Sequence, residues 1–231
     1  MTRLTIAIST VADGSIYNRH NATDPEIIAN REKFLSTLNI SIDQTTRVNV
    51  NMLPRATVED EQDYCRYIEV KETDKGKGMR SDDVFVSDAL VTDQKNHALM
   101  LPVADCVGAT FYDPIQEVLM VSHLGRHSLE QKGLIKSVQY LKEHYKTNPF
   151  DLQVWLTPAP GKDVYPIWAL DNKGMKEVTF EQLAKAGVLK ENITDNPADS
   201  TNDKNYFSYS EFLKGNRDID GDHMMVAMMH D

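Results

Sequence analysis

Cys106 and His123 are the two residues whose types and spacing point to chemistry. Both lie in one apolar stretch, Leu99 to Ser128, which reads as two strands joined by a turn at Asp113-Pro114. The first strand carries Asp105 and Cys106. The second runs Val118 to Val121, with His123 just past its carboxyl end, ahead of Gly125 and a helix. Loops that leave strand ends in α/β proteins converge on a crevice, so this is a place where chemistry collects. A thiol and an imidazole brought together there can bind a soft or borderline metal, or act as nucleophile and base. The plain alternative is one buried cysteine and one satisfied histidine. Strand alternation turns Asp105 to the face opposite Cys106, which gives the carboxylate a structural part.

The elements that must position this pair can be read along the chain. Leu4 to Ile8 reads as a first strand, followed by a polar loop. A helix opens at Thr23 or Asp24, with Pro25 in its first turn and Glu26 complementing its dipole. Ile27, Ile28, Phe34, Leu35 and Leu38 share its buried face. Thr46 to Leu53 alternates weakly as a strand that Pro54 ends, and Tyr64 to Val70 alternates as another. The charged run through Lys75-Gly76-Lys77-Gly78 reads as an exposed, solvated loop. After His123, Ser128 with Gln131 makes a capping-box pattern, and Leu134, Val138, Leu141 and Tyr145 follow at helical spacing. Leu152 to Leu156 is a strand, and Pro158 to Pro166 a Pro- and Gly-rich loop. Thr179 with Gln182 repeats the capping signal for a helix that ends at Gly187. Asn192 to Asn205 reads as a loop. Met224 to Met229 is short enough for a buried strand whose methionines fill core.

The chain has 231 residues, a net charge of −10 and two cysteines. That length can bury a full core, and with no repeat or linker the economical reading is one α/β domain over 1–231. Its core is a mixed β-sheet or sandwich flanked by helices. The acidic balance argues against broad nucleic-acid binding. No apolar run is long enough to span a bilayer, and no secretory signal opens the sequence. Two cysteines make no disulfide framework, which fits a reduced, cytoplasmic protein.

The order of features resembles the laccase-domain proteins, also called the multicopper polyphenol oxidase family. Asn30-Arg31 with Leu35 and Leu38 matches an early "NR…L…L" helix. Asp88-Ala89-Leu90-Val91-Thr92, Ala104-Asp105-Cys106 and Tyr112-Asp113-Pro114 follow "DALVT…ADC…YDP". Ser122-His123-Leu124-Gly125 is similar to "AHAGWRG", and Tyr206-Phe207-Ser208-Tyr209 to "FFSYR". The resemblance covers nearly the whole chain. It implies a purine nucleoside phosphorylase with adenosine deaminase activity, acting on a nucleoside and phosphate. It also implies a metal centre, usually zinc and sometimes copper, in which Cys106 and His123 are two ligands and the catalytic pair. An open coordination position would lower the pKa of bound water to about 7. Arg126, His127 and Tyr209 are then the residues placed to meet substrate, with Arg126 at the amino end of the following helix suited to phosphate.

Departures from the pattern matter equally. The family's other histidine should fall near Val48 to Leu53, where the chain reads VNVNML. Ser9-Thr10-Val11 and Ser208-Tyr209-Ser210 each lack an arginine that the pattern carries. His20, His127 and Cys65 are the residues left to supply a third ligand. Three functions therefore compete: a metal-dependent nucleoside phosphorylase or deaminase, a metal-free cysteine enzyme with Cys106 as nucleophile and His123 as base, and a non-catalytic domain binding a nucleoside or a protein. Multicopper oxidation is the weakest reading, because it needs paired histidine clusters and the seven histidines are scattered.

Overall fold

The computed structural model describes residues 3–18, 21, 23–50 and 65–231. In chain order its elements are β1 (Leu4–Ile8), α1 (Pro25–Thr37), β2 (Thr45–Asn49), β3 (Tyr67–Glu69), β4 (Phe85–Val86), β5 (Ala89–Thr92), β6 (Ala98–Val103), β7 (Val107–Asp113) and β8 (Val118–Leu124). Then come α2 (Arg126–Glu130), α3 (Gly133–Tyr145), β9 (Gln153–Leu156), α4 (Met175–Ala186), β10 (Ile193–Asp195), α5 (Tyr209–Leu213) and β11 (His223–Met229). The strands make two mixed sheets, one in the order β1-β11-β6-β2-β4 and the other β10-β9-β7-β8-β5-β3.

The sheets face each other, and strand alternation decides which residues meet between them. Leu99, Leu101 and Val103 of β6 and Met225, Ala227 and Met229 of β11 meet Leu90, Leu119 and Val121 of the other sheet. The alternate residues Met100, Met224, Val226 and Met228 turn outward under α1, against Phe34 and Leu35. On the far side Val91, Phe111, Val118 and Met120 lie under Leu134, Val138 and Leu141 of α3 and Leu183 of α4. Each such side chain taken from water contributes about 1.5–3 kcal/mol, so these three apolar layers hold the sandwich together. The expected α/β sandwich flanked by helices is the observed architecture. The buried methionine strand is β11.

Several local expectations are corrected. The stretch before the hairpin is two strands on different sheets: β6 ends at Val103, and the chain crosses through residues 104–106 into β7. Asp105 takes φ +72° in that crossover, a left-handed turn that breaks the apolar run. The second hairpin strand continues through His123 to Leu124, so His123 lies inside β8, opposite Gly108. Ser128 does not open a helix. It is buried within the single turn of α2, and α3 begins only after Lys132, which is itself left-handed at φ 62°. Thr179 and Gln182 lie on the buried face of α4, which starts earlier behind Gly174, while Gly187 ends it at φ 90° as expected. Part of the expected 192–205 loop pairs as β10 with β9. The strand expected over Thr46 to Leu53 is β2, and its last three positions, with Pro54 and Tyr64, lie outside the described residues.

The charged run is also more than a solvated loop. Gly76 N donates to Thr45 O at 3.0 Å and Arg47 N to Lys77 O at 3.0 Å, strapping the segment along β2. Beneath it two arginines are fully buried. Arg31 of α1 donates from Nε to Ile16 O at 2.8 Å and from a terminal nitrogen to Met79 O at 2.7 Å. Arg47 donates from Nε to Gly78 O at 2.6 Å and lies 5.4 Å from the centre of the Tyr17 ring.

Two buried histidines set an acid limit on the fold. Burial, with Lys75 nearby, pushes the His97 pKa down to about 4, and its Nε2 shares a hydrogen bond with Thr46 Oγ1 at 2.7 Å. Burial pushes His223 down to about 3, and its Nδ1 accepts from Phe207 N at 3.2 Å. Both folded values lie below the ordinary histidine value of about 6.5, so the unfolded chain takes up protons first as pH falls. The stability these residues contribute is complete above about pH 6.5 and is lost between there and about pH 4 for His97 and about pH 3 for His223. The expected slope is about 1.4 kcal/mol per pH unit for each histidine. Urea unfolding at stepped pH should show this loss, and a flat profile over that window would contradict it.

Candidate functional site

The crossover and the end of β8 bring the thiol to the imidazole. Gly125 marks the meeting point: a Cβ there would stand 2.7 Å from His123 Cε1, 3.3 Å from His123 Nε2 and 3.2 Å from Cys106 Sγ. Contacts under 3.0 Å are too close for real side-chain atoms, so Gly125 is required because the thiol and the imidazole fill the space its side chain would take. His123 follows Leu119 and Val121 along β8 and therefore faces the space between the sheets, whereas Ser122 turns outward to share a hydrogen bond with Ser137 of α3 at 3.1 Å. His123 is 7% exposed and its two ring nitrogens have no hydrogen-bond partner. Its nearest charged neighbour is Asp88, whose Oδ1 lies 3.8 Å from Nδ1. Burial alone would discharge the imidazole. The Cys106 thiol and the Asp88 carboxylate outweigh it and push the His123 pKa up to about 10.

Asp105 is turned away from the pair. Its Oδ1 accepts from Ser200 Oγ at 2.9 Å and its Oδ2 from Ser210 N at 2.7 Å, so it pins the crossover to two loops. Its part is structural, as expected, but a left-handed turn produces that orientation rather than strand alternation. Tyr209, 37% exposed, is the first residue of α5 and is tied to the centre through the neighbouring Ser210–Asp105 bond. Arg126 and His127 open α2. They bond to each other at 3.3 Å, and both reach Glu130, Arg126 at 3.7 Å and His127 at 3.4 Å. With five residues, α2 has little dipole to offer an anion, so the charge on that side comes from Arg126 itself.

Two further residues of the site escape sequence reasoning. Tyr165, from the Pro- and Gly-rich loop, hydrogen-bonds Arg126, and burial, with the Cys106 thiol nearby, raises its phenol pKa. Asp88 immediately precedes β5, where a lone acid ahead of an apolar strand reads as an ordinary boundary. Beyond its place in the DALVT pattern, the signal was available only in the pairing register, which sets Ala89 opposite Ser122 and hence Asp88 beside His123.

Cys106 and His123 are soft and borderline donors of the kind that hold zinc, and the unpartnered ring nitrogens are consistent with a ligand. A zinc site needs at least three protein donors, and no group of three such side chains gathers among the described residues. Cys65 is buried and unbridged, His127 engages Glu130, and His20 lies outside the described residues. The described donor set therefore does not fit a complete metal centre.

The two-sheet sandwich with helices on both outer faces has counterparts among solved structures. Over 97% of this chain and 92% of the other, it superposes on the crystal structure of the Bacillus licheniformis hypothetical protein YfiH with a TM-score of 0.79 at 21% identity. With YlmD from Geobacillus stearothermophilus the TM-score is 0.81 at 19% identity, over 99% and 92% of the two chains. The sequence model of the multi-copper polyphenol oxidoreductase laccase family matches residues 17–173, and the chain belongs to that family. It is 26% identical over 147 residues to the purine nucleoside phosphorylase YlmD of Bacillus subtilis. That match takes in 62% of this chain and 49% of the relative, so the chain spans about half the length of the curated relative it matches. Among the described residues no helix is long and apolar enough to cross a membrane.

Proposed function

We propose that the chain cleaves purine nucleosides by phosphorolysis at a centre formed by Cys106 and His123. The observation that carries this reading is the convergence of thiol and imidazole on Gly125, each within 3.3 Å of where its Cβ would stand, in a chain with a purine nucleoside phosphorylase among its relatives. Phosphorolysis breaks the C1′–N9 bond of the nucleoside and forms a bond from C1′ to a phosphate oxygen. The base departs with the bonding pair and needs a proton. A cationic His123, held charged by its neighbours, is placed to give that proton. Arg126 offers a positive charge to phosphate, and Tyr165 steadies its guanidinium. No step is drawn through a metal, because the described donors do not complete a site for zinc or copper.

The test is incubation of the protein with inosine and with adenosine, with and without phosphate, following free base and ribose 1-phosphate by chromatography, alongside metal content by mass spectrometry. Phosphate-dependent release of hypoxanthine from inosine supports the proposal. Unchanged nucleosides after long incubation defeat it, and phosphate-independent conversion of adenosine to inosine would assign deamination instead. The same thiol–imidazole convergence favours one second reading, a metal-free cysteine enzyme with Cys106 as nucleophile and His123 as base. A covalent Cys106 adduct trapped from substrate would distinguish it.

A further inference from the structure

The orientation of the His123 ring follows from its neighbours. β5 and β8 run antiparallel with Leu90 opposite Val121 and Ala89 opposite Ser122, which sets Asp88 directly across from His123. Residues facing each other in this way have Cβ atoms about 5 Å apart and interact as a pair. The backbone fixes the pair: His123 N donates to Asp88 O at 2.7 Å. Both side chains are almost wholly buried, at 9% and 4% exposure, and face the space between the sheets. Asp88 Oδ2 accepts from Arg66 N at 3.3 Å, while Oδ1 has no hydrogen-bond partner and lies 3.8 Å from His123 Nδ1. The opposite edge of the ring, Cε1 and Nε2, crowds Gly125 beside Cys106 Sγ.

We propose that Asp88 is a positioning residue: its carboxylate faces the Nδ1 edge of His123 and so presents Nε2 to the Cys106 thiol and to whatever binds there. This rests on the proposed Cys106–His123 centre and goes beyond it by assigning the group that orients the imidazole. A carboxylate that holds Nδ1–H fixes the ring's rotation and leaves the other nitrogen to do chemistry. The 3.8 Å separation is longer than a hydrogen bond. Catalytic contacts of this kind are often long without a ligand and tighten when one arrives.

The experiment is long-range proton–nitrogen NMR of the histidine rings in the intact chain and in Asp88→Asn and Asp88→Ala, with the His123 signals assigned by their loss in His123→Gln. The intact chain is expected to show His123 protonated at Nδ1. That proton should shift in Asp88→Asn and exchange away with water in Asp88→Ala. A His123 ring spectrum identical in all three proteins overturns the proposal. Where Asp88→Ala fails to fold, Asp88→Asn decides alone, and an unshifted Nδ1 proton overturns the proposal. Steady-state phosphorolysis gives a second reading, with kcat expected to fall about 10-fold in Asp88→Ala while KM stays within about twofold, and partial recovery in Asp88→Asn. Absence of nucleoside turnover in the intact chain would sink the proposed function, yet the ring spectra would still decide the place of Asp88.

Discussion

Cys106→Ser should lose phosphorolysis by about 100-fold or more while the protein stays folded, because oxygen keeps the shape of the side chain but not the chemistry of sulfur. The thiol is half-buried beside the imidazole and is not part of the apolar layers between the sheets, so serine leaves no large cavity. Its companion change, His123→Gln, should fall as far, because the two act as a unit and the second loss adds little to the first. Rates from the two single variants and the double variant decide this. Additive losses would show that the two residues act independently, and an unchanged rate in Cys106→Ser would remove the thiol from the reaction.

Arg31→Met is expected to cost about 2–4 kcal/mol of stability, and urea unfolding would read it. The guanidinium spans two segments, donating to Ile16 O and Met79 O, and it is fully buried. Burying a cation is costly in itself, and burial and the nearby Arg47 lower the proton affinity of Arg31. Methionine relieves that cost. It cannot remove the two carbonyls, though, and each buried acceptor left without a donor costs about 1–3 kcal/mol. The unmade bonds outweigh the relieved charge. Arg31→Lys should recover little of the loss, since one ammonium cannot copy a planar fork that reaches two carbonyls. A change below about 1 kcal/mol in Arg31→Met would mean that water reaches those carbonyls.

Wherever periodicity or a cap sets the structure, the fold was legible in the sequence. The Asp24 carboxylate accepts from Glu26 N at 3.0 Å and starts α1 as its residue type implies. The six apolar residues from Met224 on are short enough for a buried strand, and they lie in β11. The chain was harder to read where tertiary contacts decide. Ser128 and Gln131 carry a capping pattern, yet Ser128 sits inside α2, the chain turns left-handed at Lys132, and Ser128 fills the space a side chain at Gly133 would take. In the site, the thiol and imidazole were visible as residue types, and the fold adds that both lie within 3.3 Å of where a side chain at Gly125 would begin. Asp88 was legible only as the first residue of the DALVT pattern and Tyr165 not at all, because strand register brings one to the site and loop closure the other.

The crossover at Asp105 has a mechanical meaning. Cys106 ends a link that leaves one sheet at Val103 and enters the other at Val107, whose partner Leu124 directly follows His123 on β8. The distance from sulfur to imidazole is therefore set by the register of β7 against β8 and by the turn at Asp105. Shear of the sandwich would pull on residues 104–106 and leave the hairpin that carries both groups in register. The pair belongs to one sheet, and the crossover tethers that sheet to its neighbour.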